Sequence, residues 1–238
     1  MKLHGKVLVP TKIVKYLGVF LDEFLSGEAH CHELKIKLNR ANGMLAKARH
    51  YVPHEHLINI YHAIFASHMM YGAQVWTPKL SSVSDTVSRI QKSAMRIMTF
   101  SEFKAHHEPL CKQLGILKFV DNIEVSNCVF VYDFLKKTLP VSYIDTFSRV
   151  EDKDTTCTTR QASTGMLHLP KFSGTTFGLK SIYNRCIVSW NKYTIELNKI
   201  HKQKFVNRMR CTDFNLLNLS RKIVKETLTK HILEKYVD

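Results

Sequence analysis

The residue types that could do chemistry in this sequence are above all lysines and arginines at helical spacing. Lys37, Arg40 and Lys47 fall on one flank of a predicted helix, and Lys35 and Arg49 fall on the other. Such flanks are usually a solvated surface, but a row of cations also suits a nucleic-acid backbone, where each phosphate contact releases condensed counterions. The spacing therefore leaves two interpretations open, a solvent-facing helix and a phosphate-binding helix.

Metal ligands and catalytic groups are present, but their spacing is unfavourable. Histidines and cysteines cluster at His30–His32 and His54–His56, whereas structural zinc takes two sets of ligands, each pair separated by about two to five residues. The sequence contains no Gly-x-Ser-x-Gly elbow and no glycine-rich phosphate loop. Asp22 and Glu23 are adjacent acids before a helix, where acids commonly favour its positive end. We therefore predict no catalytic residue, no metal site and no cofactor.

Two elements would position the cations. β-branched and aromatic residues over 12–22 predict a strand with Gly18 inside it, as at a bulge, and an earlier run over 6–9 can pair with that strand across Pro10. The segment 29–51 then predicts an amphipathic helix. Its apolar face recurs at steps of four and three: Leu34, Leu38, Ala41, Leu45 and Ala48.

Helical periodicity continues along the rest of the chain. It predicts helices over 54–71, 84–100, 111–115, 121–137, 179–193 and 220–236. In the first of these, Leu57, Tyr61, Ile64 and His68 share one face, and Ile58, Phe65 and Met69 lie beside it, so the helix is apolar over a wide arc. Threonine and serine over 151–163 predict a linker, Met166–Pro170 predicts a short strand, and Lys199–Arg210 is the densest basic run. The predicted fold is mainly α: a short N-terminal β-hairpin, a helical bundle and a second helical C-terminal region.

Charge and composition narrow the classes of partner. The 238 residues are 45% hydrophobic, as in a globular protein, and carry a net charge of +15. Lysine and arginine outnumber acids nine to four over 1–53 and sixteen to eight over 151–238, but not over 119–150, where acids lead four to three. This asymmetry favours a polyanion such as nucleic acid over a membrane surface. Unpaired cysteines and the lack of a long apolar run predict an intracellular protein with reduced thiols.

An ordered series of phrases resembles a known family. Lys15–Asp22 (KYLGVFLD), Arg49–Pro53, Ser67–Trp76, Thr158–Pro170 and Thr176–Tyr183 together resemble the C-terminal third of reverse transcriptases from jockey-like non-LTR retrotransposons. In that family the Tyr-Leu-Gly stretch lies at the primer-gripping hairpin where the polymerase palm ends, and the helices that follow are the thumb. The resemblance implies RNA or an RNA–DNA hybrid as partner, with no membrane and no small-molecule substrate.

The resemblance also implies domains and site residues. Residues 1–25 would be a remnant palm hairpin, 26–150 a thumb-like bundle, 151–178 a linker and 179–238 a basic helical region. The residues at the primer grip would be Lys12, Lys15, Tyr16, Leu17 and Gly18. The residues that follow the phosphates would be Lys37, Arg40, Lys47 and Arg49. Base-stacking candidates beside cations are Tyr16, Tyr51, Tyr61 and Phe205. Tyr61 lies on the apolar face of its helix and is expected in the core, so Tyr16 is the favoured candidate.

Two departures from the family qualify this expectation. The family's metal-binding aspartates precede the Tyr-Leu-Gly hairpin, but no acidic residue precedes it here, so we expect no site for the pair of Mg²⁺ ions that phosphoryl transfer needs. Ser26–His30 replaces a Trp-Lys-Pro-His-like string, which predicts a less firmly anchored hairpin. The expected function is a non-catalytic fragment that binds template–primer. The alternatives are a helical scaffold protein and a chain that cannot fold alone.

Overall fold

In the computed structural model, helices follow short antiparallel strands at the N-terminus, which confirms the predicted fold class. The structure describes residues 2–3, 6–7, 11–77, 82–143, 147–148, 166–171, 181–205 and 220–236, and of 2–3, 6–7 and 197–205 it describes the backbone alone. The predicted linker over 151–163, residues 206–210 of the basic run and the side chains of 199–205, Phe205 included, lie outside this description.

The strands form two antiparallel pairs. They are Lys2–Leu3 (β1) with Lys6–Val7 (β2), and Ile13–Tyr16 (β3) with Val19–Asp22 (β4). The predicted pairing of 6–9 with 12–22 is therefore wrong, because the chain reverses within 12–22. Leu17 and Gly18 have φ angles of 44° and 82°, and two positive φ angles give the tight turn whose twist fits a two-residue hairpin loop. Gly18 thus lies in a turn and not in a bulge.

The chain divides into two compact units, Met1–Leu114 and Gly115–Asp238. The division falls inside the segment 26–150 that the resemblance assigns to a thumb-like bundle, and the four predicted segments with their three boundaries stay predictions. The α-helices of the first unit are Glu28–Ala48 (α1), His54–Ile60 (α2), Ser67–Met70 (α3), Ala73–Trp76 (α4), Ser82–Thr99 (α5) and His107–Leu114 (α6).

Helices α1 and α5 form the main packing pair of the first unit. The predicted apolar face of α1 is confirmed at Leu34, Leu38, Ala41 and Leu45, which are all buried. The two helices run parallel, because donors along α1 bond in order to carbonyls along α5. These bonds are Cys31 Sγ to Val83 O, Asn42 Nδ2 to Ile90 O and Arg49 Nη1 to Ile97 O. Parallel packing brings the C-terminal ends of α1 and α5 together.

A π-helix at Tyr61–Ala66 joins α2 to α3 and changes which face is buried. The predicted face contained Ile64 and His68, but the buried residues after Tyr61 are Phe65 and Met69. The wider turn of a π-helix, with its i to i+5 bonds, keeps residues four apart on one face. The prediction assumed an uninterrupted α-helix, and its main face is therefore wrong beyond Tyr61, although Phe65 and Met69 belong to the apolar arc predicted beside that face.

The second unit is built on Phe119–Leu135 (α7), Ile182–Phe205 (α8) and Arg221–Glu234 (α9). The predicted apolar face of the last helix is confirmed by the burial of Val224, Leu228 and Ile232. Leu167 forms only an isolated bridge where a strand was predicted, and the amide of Asn191 bonds both its N–H and its carbonyl at 2.9 Å. Among the described helices, none has the length and apolar composition needed to cross a bilayer.

Candidate nucleic-acid interface

The β3–β4 hairpin packs against the corner between α3 and α4. The hydroxyl of Tyr71 donates to the carbonyl of Leu17 in the turn at 2.7 Å. Gly72 has a φ of 60°, and a Cβ built on it would lie 3.2 Å from Val19 Cγ2. This close approach requires glycine, because a side chain would push Val19 and the hairpin away from the corner.

A second anchor joins the hairpin to the start of α1. The backbone N–H of Phe20 donates to Nδ1 of buried His30 at 3.4 Å. The His30 ring in turn lies 4.9 Å from the ring of Trp76, which is buried. Burial, followed by the positive charge of Lys37, lowers the pKa of His30. The neutral ring is therefore the form that accepts from Phe20.

Ser26–His30, the segment where the hairpin was predicted to lose a packing anchor, contacts the hairpin in the structure. The segment contributes His30, which bonds the hairpin and contacts Trp76, and Ser26, which bonds the carboxylate of Asp22. The expected loosening assumed that loss of the family's tryptophan-like residue leaves the hairpin without a packing anchor. An imidazole and a carboxylate make the described contacts instead.

Asp22 organises the loop between β4 and α1. Its carboxylate accepts from the N–H groups of Phe24, Ser26 and Gly27 and from the Ser26 hydroxyl, at 2.9 to 3.1 Å. Burial raises the pKa of Asp22, but these hydrogen bonds outweigh it and the net pKa lies below its ordinary value. Both carboxylate oxygens are already used by the loop.

The hairpin therefore does not fit a two-metal centre. Asp22 binds its own loop, and within the described parts of the chain no three or more histidine, cysteine or acidic side chains come together as a metal site would need. The residues that the resemblance places here do not match the carboxylate set that holds paired Mg²⁺ ions.

The predicted primer-grip residues share the exposed tip and outer strand of the hairpin. Lys12, Lys15, Tyr16, Leu17 and Gly18 are all exposed, and 63% of the Tyr16 surface is accessible. The ammonium of Lys15 lies 5.3 Å from the ring centre of Phe20. The structure thus brings these five residues together on one small surface, with a cation beside an aromatic ring.

The outer side of α1 carries the predicted phosphate contacts. Lys37, Arg40 and Lys47 are exposed, and steps of three and seven residues keep them on one side of the helix. At a rise of about 1.5 Å per residue they extend over about 15 Å, which spans several phosphates of one strand. Among the described residues, none of the three side chains has an ion-pair or hydrogen-bond partner.

Arg49 differs from the other predicted phosphate ligands because its guanidinium is used inside the fold. It is half-buried, donates to the Ile97 carbonyl at 3.3 Å and lies 4.6 Å above the ring centre of Phe100. The arginine joins the C-terminal ends of α1 and α5. Its role at phosphates stays a prediction, and the structure separates it from the stripe of free cations.

The base-stacking candidates fall into different environments. Tyr51 is 87% exposed, whereas Tyr61 is fully buried against Phe65, with its hydroxyl bonded to Gln91 Nε2 at 3.2 Å.

Sequence reasoning missed Tyr71 and His30 as the anchors of the hairpin. Tyr71 lies in Ser67–Trp76 and His30 in Ser26–His30, two segments that were compared with the family. Nothing in the local spacing of these residues identifies a distant partner, such as Leu17, which lies 54 residues from Tyr71.

Part of this chain is similar in sequence to a curated protein. The chain is 27% identical over 112 residues to the probable RNA-directed DNA polymerase from transposon X-element of Drosophila melanogaster. The match covers 46% of this chain and 12% of the length of that relative. No protein-family model matches the chain, and no solved structure matches it. The comparison therefore relates part of this chain to a retrotransposon reverse transcriptase.

Proposed function

We propose that the chain is the C-terminal, palm-end and thumb part of a jockey-like non-LTR reverse transcriptase, and that it binds template–primer nucleic acid without catalysing polymerisation. The observation that carries the proposal is the stripe of Lys37, Arg40 and Lys47, exposed and without described partners on the helix whose start anchors the hairpin. The similarity to a transposon RNA-directed DNA polymerase supports the class of partner.

The two surfaces would act on different parts of an RNA–DNA hybrid. The cations of α1 would neutralise successive phosphates, which favours binding through counterion release and carries no sequence preference. The hairpin would meet the primer end with Tyr16 as an exposed ring and Lys12 and Lys15 as cations. Its turn at Leu17 and Gly18 presents backbone with little side-chain bulk at the glycine, so another chain can approach closely.

The test is binding of the full chain to a labelled RNA–DNA hybrid over a series of salt concentrations. Each phosphate contact contributes roughly 0.7 to 0.9 to the slope of log affinity against log salt. Changing Lys37, Arg40 and Lys47 to alanine should therefore lower that slope by about two to three. A variant with unchanged slope would contradict the assignment of these three residues to phosphates.

A matched control removes the same charge elsewhere. Lys222, Lys225 and Lys230 are exposed on α9, and their replacement by alanine also removes three positive charges. This variant should bind with nearly the slope of the parent chain. Equal effects of both triple changes would indicate non-specific attraction to net charge, and a shallow slope in the parent chain would favour the alternative, a helical scaffold protein.

A further inference from the structure

Exposed aromatic rings and arginines form a second surface at the C-terminal ends of α1 and α5. We define the aromatic–arginine cluster as Arg49, Tyr51, Arg96, Phe100 and Phe103. The exposed fractions of its rings are 87% for Tyr51, 60% for Phe100 and 87% for Phe103. Large apolar rings at such exposure are costly in water and mark a binding surface when they occur together.

The arginines hold this surface in place while keeping their charge uncompensated. Arg49 bonds the Ile97 carbonyl and covers one side of the Phe100 ring. Arg96 donates twice to the Ala105 carbonyl, at 2.9 and 3.2 Å, and lies 5.1 Å from the ring centre of Phe103. Among the described residues, neither guanidinium forms an ion pair with a carboxylate, because the contacts of both are with neutral carbonyls and rings.

Phe100, which follows α5, has an unusual backbone conformation, and neighbouring side chains hold its ring. Phe100 has a φ of 53°, in the left-handed region that a bulky residue adopts only at a cost in conformational energy. The edge of the His50 ring meets the Phe100 ring at 5.8 Å between centroids. Helix α5 thus ends with the ring of Phe100 turned toward the end of α1, where Arg49 and His50 hold it.

We propose that the aromatic–arginine cluster binds unpaired bases of single-stranded nucleic acid. Rings beside cations form a stacking platform that accepts any base, since every base has a π face, and the arginines add attraction to phosphate and to the π system. Stacked bases inside a duplex are not available to such rings. The inference rests on the proposed function, because both assign a nucleic acid as partner, and it specifies which strand this site takes.

The position of the cluster separates it from the hairpin. The hairpin is anchored at His30 near the start of α1, and the cluster lies just past its end. With 21 residues in α1, the two are about 30 Å apart along the helix. The stripe of Lys37, Arg40 and Lys47 lies between them along the helix axis but on the opposite flank from Arg49, so the two contacts can be altered separately.

The test compares a single-stranded RNA containing one 2-aminopurine with a blunt RNA–DNA hybrid, both bound to the full chain. The double variant Tyr51→Leu and Phe103→Leu alters two highly exposed rings, and circular dichroism checks that it folds. We expect single-strand affinity to fall about fivefold or more per ring, with loss of fluorescence quenching, and hybrid affinity to stay within about twofold. Phe24→Leu removes an exposed ring from another loop and should change neither affinity.

The outcomes distinguish this inference from the proposed function. Unchanged single-strand affinity in the folded double variant, an equal loss with Phe24→Leu, or an equal loss for the hybrid would each overturn the stacking site. The triple change of Lys37, Arg40 and Lys47 tests the hybrid contact separately. If that triple change leaves hybrid binding intact while the ring variant loses single-strand binding, the proposed hybrid contact fails and the stacking site stands.

Discussion

Replacing Gly72 with alanine should loosen the hairpin and destabilise the Met1–Leu114 unit. Gly72 has a φ of 60°, which costs an alanine about 1 kcal/mol relative to glycine. The new Cβ would also lie 3.2 Å from Val19 Cγ2 and 3.7 Å from Trp76 Cδ1. Val19 and Trp76 are both buried, so the strand that carries Val19 must shift.

The expected magnitude adds two separate costs. The backbone contributes about 1 kcal/mol, and crowding a packed contact contributes about 1 to 2 kcal/mol more. Gly72→Ala should therefore lower the free energy of unfolding by about 2 to 3 kcal/mol, measured by urea denaturation followed by circular dichroism. Because the shift moves β4 away from α4, it should also weaken the bond from Tyr71 to Leu17.

Two further variants separate these costs. Gly115 has a φ of 65° with nothing within 4 Å of a built Cβ, so Gly115→Ala should show only the backbone cost of about 1 kcal/mol. In a double-mutant cycle, Val19→Ala should remove the crowding part of the Gly72→Ala effect, a coupling of about 1 kcal/mol. If Gly72→Ala is no more destabilising than Gly115→Ala, the close approach of the hairpin is refuted.

Two other predictions concern α1 and its contact with the hairpin. Gly43 lies in α1 with open space around a built Cβ, so Gly43→Ala should raise the free energy of unfolding by about 0.5 to 1 kcal/mol in urea denaturation; no gain would refute the helical geometry there. The lowered pKa of His30 means that the unfolded chain binds a proton below about pH 6.5 while the native state does not. Its contribution to stability is therefore complete above that pH and falls as the pH drops toward the lowered value. Unfolding measured from about pH 7.5 to 5.5 should show this fall in the parent chain and not in His30→Asn, whose amide oxygen still accepts from Phe20; equal pH profiles would contradict it.

Local periodicity was sufficient for much of the fold. The buried face of α1 and that of α9, with Val224, Leu228 and Ile232, follow from apolar residues at helical spacing, because a helix buries one face whatever its partner is. The hairpin was misread because β propensity over 12–22 does not distinguish one strand from two. Leucine at positive φ is uncommon, so Leu17 gave no signal of the turn that it forms with Gly18.

The sequence by itself determined the excess of basic residues, the buried faces of α1 and α9 and the likeness to reverse transcriptases. Tertiary structure decided which cations are free: Lys47 has no described partner, whereas Arg49, two residues later, bonds the end of α5. It also decided that Tyr51 is exposed, whereas the burial of Tyr61 follows from its place on the apolar face of its helix. The physical reason is that residue spacing fixes the direction of a side chain on its own helix, while its partner depends on contacts between segments that are distant in sequence.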